Sequence, residues 1–157
     1  MTRDTVGSRR IGQAFEAAEA EGRLAFIPYV VAGYPDASTS ETVALAALDV
    51  GADLLEIGLP YSDPLADGVT LQRASTAALA SGADLDGSLE LVERVARARP
   101  DKPIVVMGYA NQFLGPRGEN AVAKRLSAAG AAGAKRSART RSRRSARCRS
   151  PRPSAFG

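Results

Sequence analysis

Three short apolar runs, residues 25–32, 53–58 and 103–109, are separated by stretches whose apolar residues recur every three or four positions. This alternation limits the possible folds more than any other feature of the chain. Ala25-Phe26-Ile27-Pro28-Tyr29-Val30-Val31-Ala32 is rich in β-branched and aromatic residues and ends at Gly33-Tyr34-Pro35-Asp36, as a strand closed by a turn. Asp53-Leu54-Leu55-Glu56-Ile57-Gly58 and Pro103-Ile104-Val105-Val106-Met107-Gly108-Tyr109 read in the same way. Ile11, Phe15 and Ala18 give a short helix that stops at Gly22. Ser38 and Glu41 form a capping box before a helix carrying Val43, Ala46, Ala47 and Val50. Residues 70–80, the series Leu85, Leu89, Val92 and Ala96, and the series Val122, Leu126 and Ala129 predict three more helices. Strands separated by helices imply right-handed crossovers and a parallel sheet. The expected fold is α/β, either an open doubly wound sheet or a piece of a (β/α)8 barrel.

The order breaks at Gly133. Val50-Gly51-Ala52-Asp53 leads from a helix into an apolar strand, and Ala129-Gly130-Ala131-Ala132-Gly133 repeats that transition, but Ala134-Lys135-Arg136-Ser137 follows it. From there to Gly157 the chain has no Leu, Ile, Val, Met, Asp, Glu or Tyr. Such a segment cannot bury enough apolar surface to offset roughly 1–2 kcal/mol per residue of backbone ordering, so residues 134–157 are expected to be a disordered Arg/Ser/Ala/Pro tail behind a folded segment 1–133. The abrupt change has the character of an out-of-frame reading of a GC-rich coding sequence.

The charge divides at the same point. The tail holds nine of the 21 basic residues and no acid, leaving 12 against all 17 acids, a net −5, in residues 1–133. The overall +4 therefore describes neither part. A single Cys148 and the absence of His exclude an internal disulfide, the common zinc sites and every His-based triad. No run approaches the roughly 18–20 apolar residues of a membrane span, and Met1–Arg10 lacks the apolar core of a secretion signal, so a cytoplasmic location is expected.

Two carboxylate positions stand out. Alternation along the second strand puts Leu55 and Ile57 on one face and Leu54, Glu56 and Gly58 on the other, so Glu56 sits among apolar neighbours near the strand's carboxyl end, where parallel α/β folds carry their sites. Such a carboxylate suits a general acid or base; equally, it could be a rim Glu that finds a basic partner or water. The loop Pro60-Tyr61-Ser62-Asp63-Pro64-Leu65-Ala66-Asp67-Gly68 follows, stiffened by two prolines. Its Asp67 could accept from a substrate N–H, or simply be a turn Asp bonded to its own backbone.

The stretch from Leu55 to Gly68 resembles the signature of the tryptophan synthase alpha chain family. Phe26-Ile27-Pro28-Tyr29 with Ala32-Gly33-Tyr34-Pro35-Asp36 looks like that family's first strand and loop, and residues 103–111 look like its third strand and Tyr-x-Asn loop. The resemblance covers about residues 8–133. It implies an incomplete (β/α)8 TIM barrel with about three βα units. It also implies a retro-aldol lyase that cleaves indole-3-glycerol phosphate to indole and glyceraldehyde 3-phosphate in tryptophan biosynthesis. Carried onto this sequence, the catalytic carboxylates fall on Glu56 and Asp67, substrate binding on Tyr109, and contact with the beta chain on Asp63, Pro64 and Asn111. No cofactor or metal is implied for this chain; PLP belongs to the partner beta chain of an α2β2 assembly. Val69, Gly108, Ala110 and Gln112 depart from the usual pattern without removing a catalytic group. The larger departure is the missing remainder, which would bring the phosphate-binding loops after strands seven and eight, so the chain as written is expected to be inactive. Two other roles compete: a nonenzymatic fragment that binds the beta chain, and nonspecific, salt-sensitive nucleic-acid binding by the basic tail.

Overall fold

The computed structural model describes residues 5–113 and 119–137. Along the chain run α1 (Val6–Ala20), β1 (Tyr29–Val31), α2 (Ala37–Asp49), β2 (Leu55–Gly58), α3 (Val69–Ala80), α4 (Leu85–Ala98), β3 (Ile104–Tyr109), α5 (Ala110–Phe113), α6 (Glu119–Ala128) and β4 (Gly133–Ser137). All the strands pair in parallel, in the spatial order β1-β2-β3-β4. Chain order equals spatial order, as in a barrel wall built one βα unit at a time.

The apolar alternation explains which face is covered. Val30, Ile57 and Val106 share one register row, and Leu55 and Ile104 share another. These side chains pack against Ala44 and Leu48 of α2, Leu89, Val92 and Val95 of α4, and Val122 and Leu126 of α6. Leu55, Ile57, Ile104 and Val106 are fully buried there. A smaller cluster of Val31, Ala74 and Ala78 seats α3 beside β1.

Helix starts follow local hydrogen-bond supply. Thr5 caps α1, its hydroxyl accepting from Ser8 N–H at 3.1 Å while Ser8 Oγ accepts from Thr5 N–H at 2.9 Å. At α2 the cap is Asp36, which accepts from Thr39 N–H at 2.8 Å, and not the predicted box of Ser38 and Glu41. A carboxylate is the stronger acceptor, and it captures the Ser38 and Thr39 hydroxyls as well, both at 2.7 Å. Glu41, released from that role, pairs with Arg94 at 2.7 Å.

The N-terminal ends of the strands are fastened. Arg23 grips Asp53 with two nitrogens at 2.6 and 2.8 Å, and the same carboxylate accepts from Phe26 N–H at 2.8 Å. Arg10 donates to the carbonyls of Pro100 and Lys102 just before β3. Gly7 lets α1 lie against the entry to β4, since a Cβ there would fall 1.9 Å from the Ala132 carbonyl oxygen. The carboxyl ends are left open for chemistry.

Two expectations change. The first strand is shorter than residues 25–32, because Phe26 N–H bonds to the Asp53 side chain and not to a neighbouring strand. The predicted tail, moreover, does not begin at 134: Gly133–Ser137 forms a fourth strand against β3, with Val105 opposite Gly133 and Met107 opposite Lys135. Ladder bonds need only backbone groups, and the edge of β3 presents them; Ala132 N–H donating to Ile104 C=O at 2.8 Å sets the register. Residues 138–157 of the predicted tail lie outside the described residues.

Candidate active site

The strand register brings two rows of side chains to the face opposite α2, α4 and α6, where α3 packs beside Tyr29 and Val31. Tyr29, Glu56, Val105 and Gly133 form one row, and Val31, Gly58, Met107 and Lys135 the next, nearer the carboxyl ends. Glu56 is largely enclosed, with 19% of its side chain exposed, and its buried Oε1 has no hydrogen-bond partner. Lys135 Nζ lies 3.7 Å from that oxygen. A rim Glu was expected to need a basic partner, and Lys135 supplies one at ion-pair distance, although the ammonium is itself mostly exposed.

Tyr29 leans over Gly58. A Cβ on Gly58 would fall 1.8 Å from the Tyr29 hydroxyl, so the glycine makes the space that the phenol occupies. Burial pushes the Tyr29 hydroxyl up to about 12, and the negative charges of Asp67 and Glu56 add to that. Tyr29 thus senses both carboxylates singled out from the sequence.

Asp67 ends a tightly folded loop. Leu65 N–H bonds to Asp63 C=O at 2.8 Å, Asp67 N–H to Pro64 C=O at 3.0 Å, and Gln72 Nε2 to Asp67 C=O at 2.9 Å. The end of β3 and α5 hold it from the side. Tyr109 Oη accepts from Ala66 N–H at 2.9 Å and faces the Asp67 carboxylate, while Gln112 donates to Pro60 C=O at 2.9 Å. Burial raises the Tyr109 hydroxyl above the ordinary tyrosine range, and the Asp67 charge reinforces this. The Tyr61 ring stacks on Tyr109 with centroids 4.8 Å apart, and Asn111 Nδ2 donates to Tyr61 Oη.

The sequence-predicted residues fall into two groups. Glu56, Asp67 and Tyr109 come together around Tyr29 and the loop after β2, whereas Asp63 is exposed on that loop, Asn111 is exposed on α5, and Pro64 is half-buried. Sequence reasoning missed Tyr29 and Tyr61, and it did not foresee that Lys135 would lie beside Glu56. Tyr29 was readable from register, being on the same strand face as Glu56 once β1 and β2 pair; Lys135 was hidden by its basic neighbours. A groove of about 680 Å³ behind β4, lined by Val6, Phe113, Leu126 and Ala134 among others, has no ionisable side chain among the described residues that line it. Among the described residues, no group of three His, Cys, Asp or Glu could hold a metal ion, and no helix is long and apolar enough to cross a membrane.

Consecutive parallel βα units whose order in space equals their order in the chain, with Glu56 and Asp67 on the candidate site, define a segment of a (β/α)8-barrel protein. Residues 15–134 match the tryptophan synthase alpha chain family, and the chain belongs to it. The alpha chain of Deinococcus radiodurans is 53% identical over 112 residues, 70% of this chain and 41% of the relative; that of Roseiflexus sp. (strain RS-1) is 44% identical over 124 residues, 79% and 47%. Among solved structures, the aminoacrylate-bound tryptophan synthase of M. tuberculosis superposes with a TM-score of 0.75 at 40% identity, covering 80% of this chain and 50% of that one. The tryptophan synthase alpha subunit of Legionella pneumophila gives 0.71 at 34% identity, covering 80% and 47%. The chain thus spans about half the length of the relatives it matches, and its fold is part of their TIM barrel.

Proposed function

We propose that these residues form the catalytic half of an indole-releasing lyase site, with Glu56 as acid and base and Asp67 as the acceptor for the indole N–H. The observation that carries this reading is the enclosed Glu56 Oε1, without a hydrogen-bond partner and 3.7 Å from Lys135 Nζ, one row below the carboxyl end of β2. A carboxyl oxygen left without a donor inside a protein is costly, and the side-chain hydroxyl of a substrate would supply that donor.

The chemistry follows from the substrate class. Cleaving indole-3-glycerol phosphate requires a proton on indole C3 and removal of the proton from the adjacent side-chain hydroxyl. The C3–carbon bond then breaks as the carbonyl of glyceraldehyde 3-phosphate forms, and its electron pair returns to the ring to restore indole. Glu56 delivers the first proton and takes the second, so the step is neutral in protons. Positive charge on the protonated ring is offset by Asp67 accepting from the ring N–H. Tyr109 supports Asp67 and offers a ring to the substrate. Asp63 and Pro64 on the loop after β2 and Asn111 on α5 are the proposed contacts for a beta chain, which would carry PLP; this chain's own chemistry uses no cofactor.

The described residues offer no counterpart of the phosphate grip expected after strands seven and eight, so the 157 residues assayed by themselves should release no indole, with or without a beta chain. Joining residues 1–133 to the second half of the D. radiodurans alpha chain should restore release. Turnover by the 157 residues alone would overturn the proposed inactivity, and a folded hybrid that releases no indole would overturn the lyase reading.

A further inference from the structure

We infer that Tyr61 is a positioning residue for Asp67, acting through Tyr109. The loop after β2 carries Asp67, and the end of β3 with α5 holds it at three points: Gln112 at Pro60, Asn111 at Tyr61 and Tyr109 at Ala66. The middle attachment is the one with no assigned role. Its two components act on the same phenol. The ring of Tyr61 stacks at 4.8 Å and 23° on Tyr109, and its hydroxyl accepts from the Asn111 side chain, which fixes the Tyr61 ring plane from the β3 side.

Tyr109 is itself held from behind, its backbone N–H donating to Gln112 Oε1 at 2.9 Å. With its backbone tied and one face covered by Tyr61, the phenol can present its oxygen only towards Ala66 and Asp67. There it accepts from the Ala66 N–H and meets the Asp67 carboxylate. Offset stacking of two aromatic rings limits their rotation and excludes water from one face. Tyr61 therefore restricts where the residue after Ala66 can point. Asn111, which makes this middle attachment, lies among the proposed beta-chain contacts.

The chemical role of Asp67 rests on the lyase reading, but its placement by Tyr61 does not, and the test separates them. Amide exchange is measured by NMR in the 157-residue chain and in Tyr61→Phe, which keeps the ring and loses the hydroxyl. Exchange at Ala66 should accelerate about three- to tenfold, the scale of one modest hydrogen bond, while Val92 in the core of α4 is unchanged. Tyr61→Leu, which removes the ring as well, should accelerate Ala66 further. It should also bring the Tyr109 titration, followed on ring-labelled tyrosine, down towards the ordinary tyrosine range as the cover is lost. An unchanged Ala66 rate in Tyr61→Phe, or equal acceleration at Ala66 and Val92, would overturn the inference. A hybrid barrel that fails to release indole would sink the lyase reading and leave the exchange result standing.

Discussion

At Gly58 a single missing Cβ decides how the floor of the site is built. The Tyr29 phenol occupies that volume, and burial there is the main reason its hydroxyl is pushed up to about 12. Gly58→Ala should drive the phenol off the sheet and bring its titration down towards 10, the ordinary tyrosine value, as read by tyrosine NMR; a midpoint that stays near 12 would contradict this packing. Glu56 and Asp67 were legible in the sequence because a carboxylate inside an apolar strand and a Pro-braced loop are local signals. Tyr61 and Lys135 were not, since a stacking partner and an ion-pair partner depend on which loop or strand lies alongside. Lys135 in particular reads as one cation among nine until β4 pairs with β3 and turns it towards Glu56.

Asp36 and the sheet define what the elements contribute. Hydrogen bonds from Thr39 N–H, and from the Ser38 and Thr39 hydroxyls, hold the Asp36 carboxyl at about 2, below its ordinary 3.8. A depressed carboxylate stabilises the fold fully above its unfolded value and loses that contribution as pH falls through its folded value. The thermal midpoint of the parent chain should therefore drop between about pH 4 and pH 2 more steeply than that of Asp36→Asn, which keeps a capping oxygen and does not titrate; parallel profiles would contradict the cap assignment. In the core, Ile57 is fully buried between the sheet and its helices. Ile57→Ala should cost about 2–5 kcal/mol in urea unfolding, and a loss below 1 kcal/mol would mean that this face is not packed as described. Helices α1–α4 and α6 were readable from periodicity and β1–β3 from short apolar runs closed by turn residues, whereas α5 was not foreseen. The α2 cap and the extent of β1 were not, because competition among nearby acceptors settled the first and the Asp53 side chain settled the second. β4 escaped detection because its pairing draws on backbone groups that are the same in every sequence.

On the scale of the whole molecule, four parallel strands and about half a relative's length make a wall of a barrel, not its closure. Both outer strands, β1 and β4, have one unpaired edge among the described residues, and on the Glu56 face the packed cluster is the small one between β1 and α3. We attribute the change of composition after Gly133 to a shift of reading frame. Reading the coding DNA in the two other frames from that point should yield, in one of them, an apolar strand and further βα units; two frames without either would refute the attribution. The central claim, that Glu56 is the acid and base of an indole-releasing site, is tested most directly in the hybrid barrel of residues 1–133 and the D. radiodurans second half. Glu56→Gln in that hybrid should lower indole release by about 10²–10⁴-fold, the usual worth of a general acid–base, with its circular dichroism unchanged. Release undiminished by the substitution would contradict the assignment.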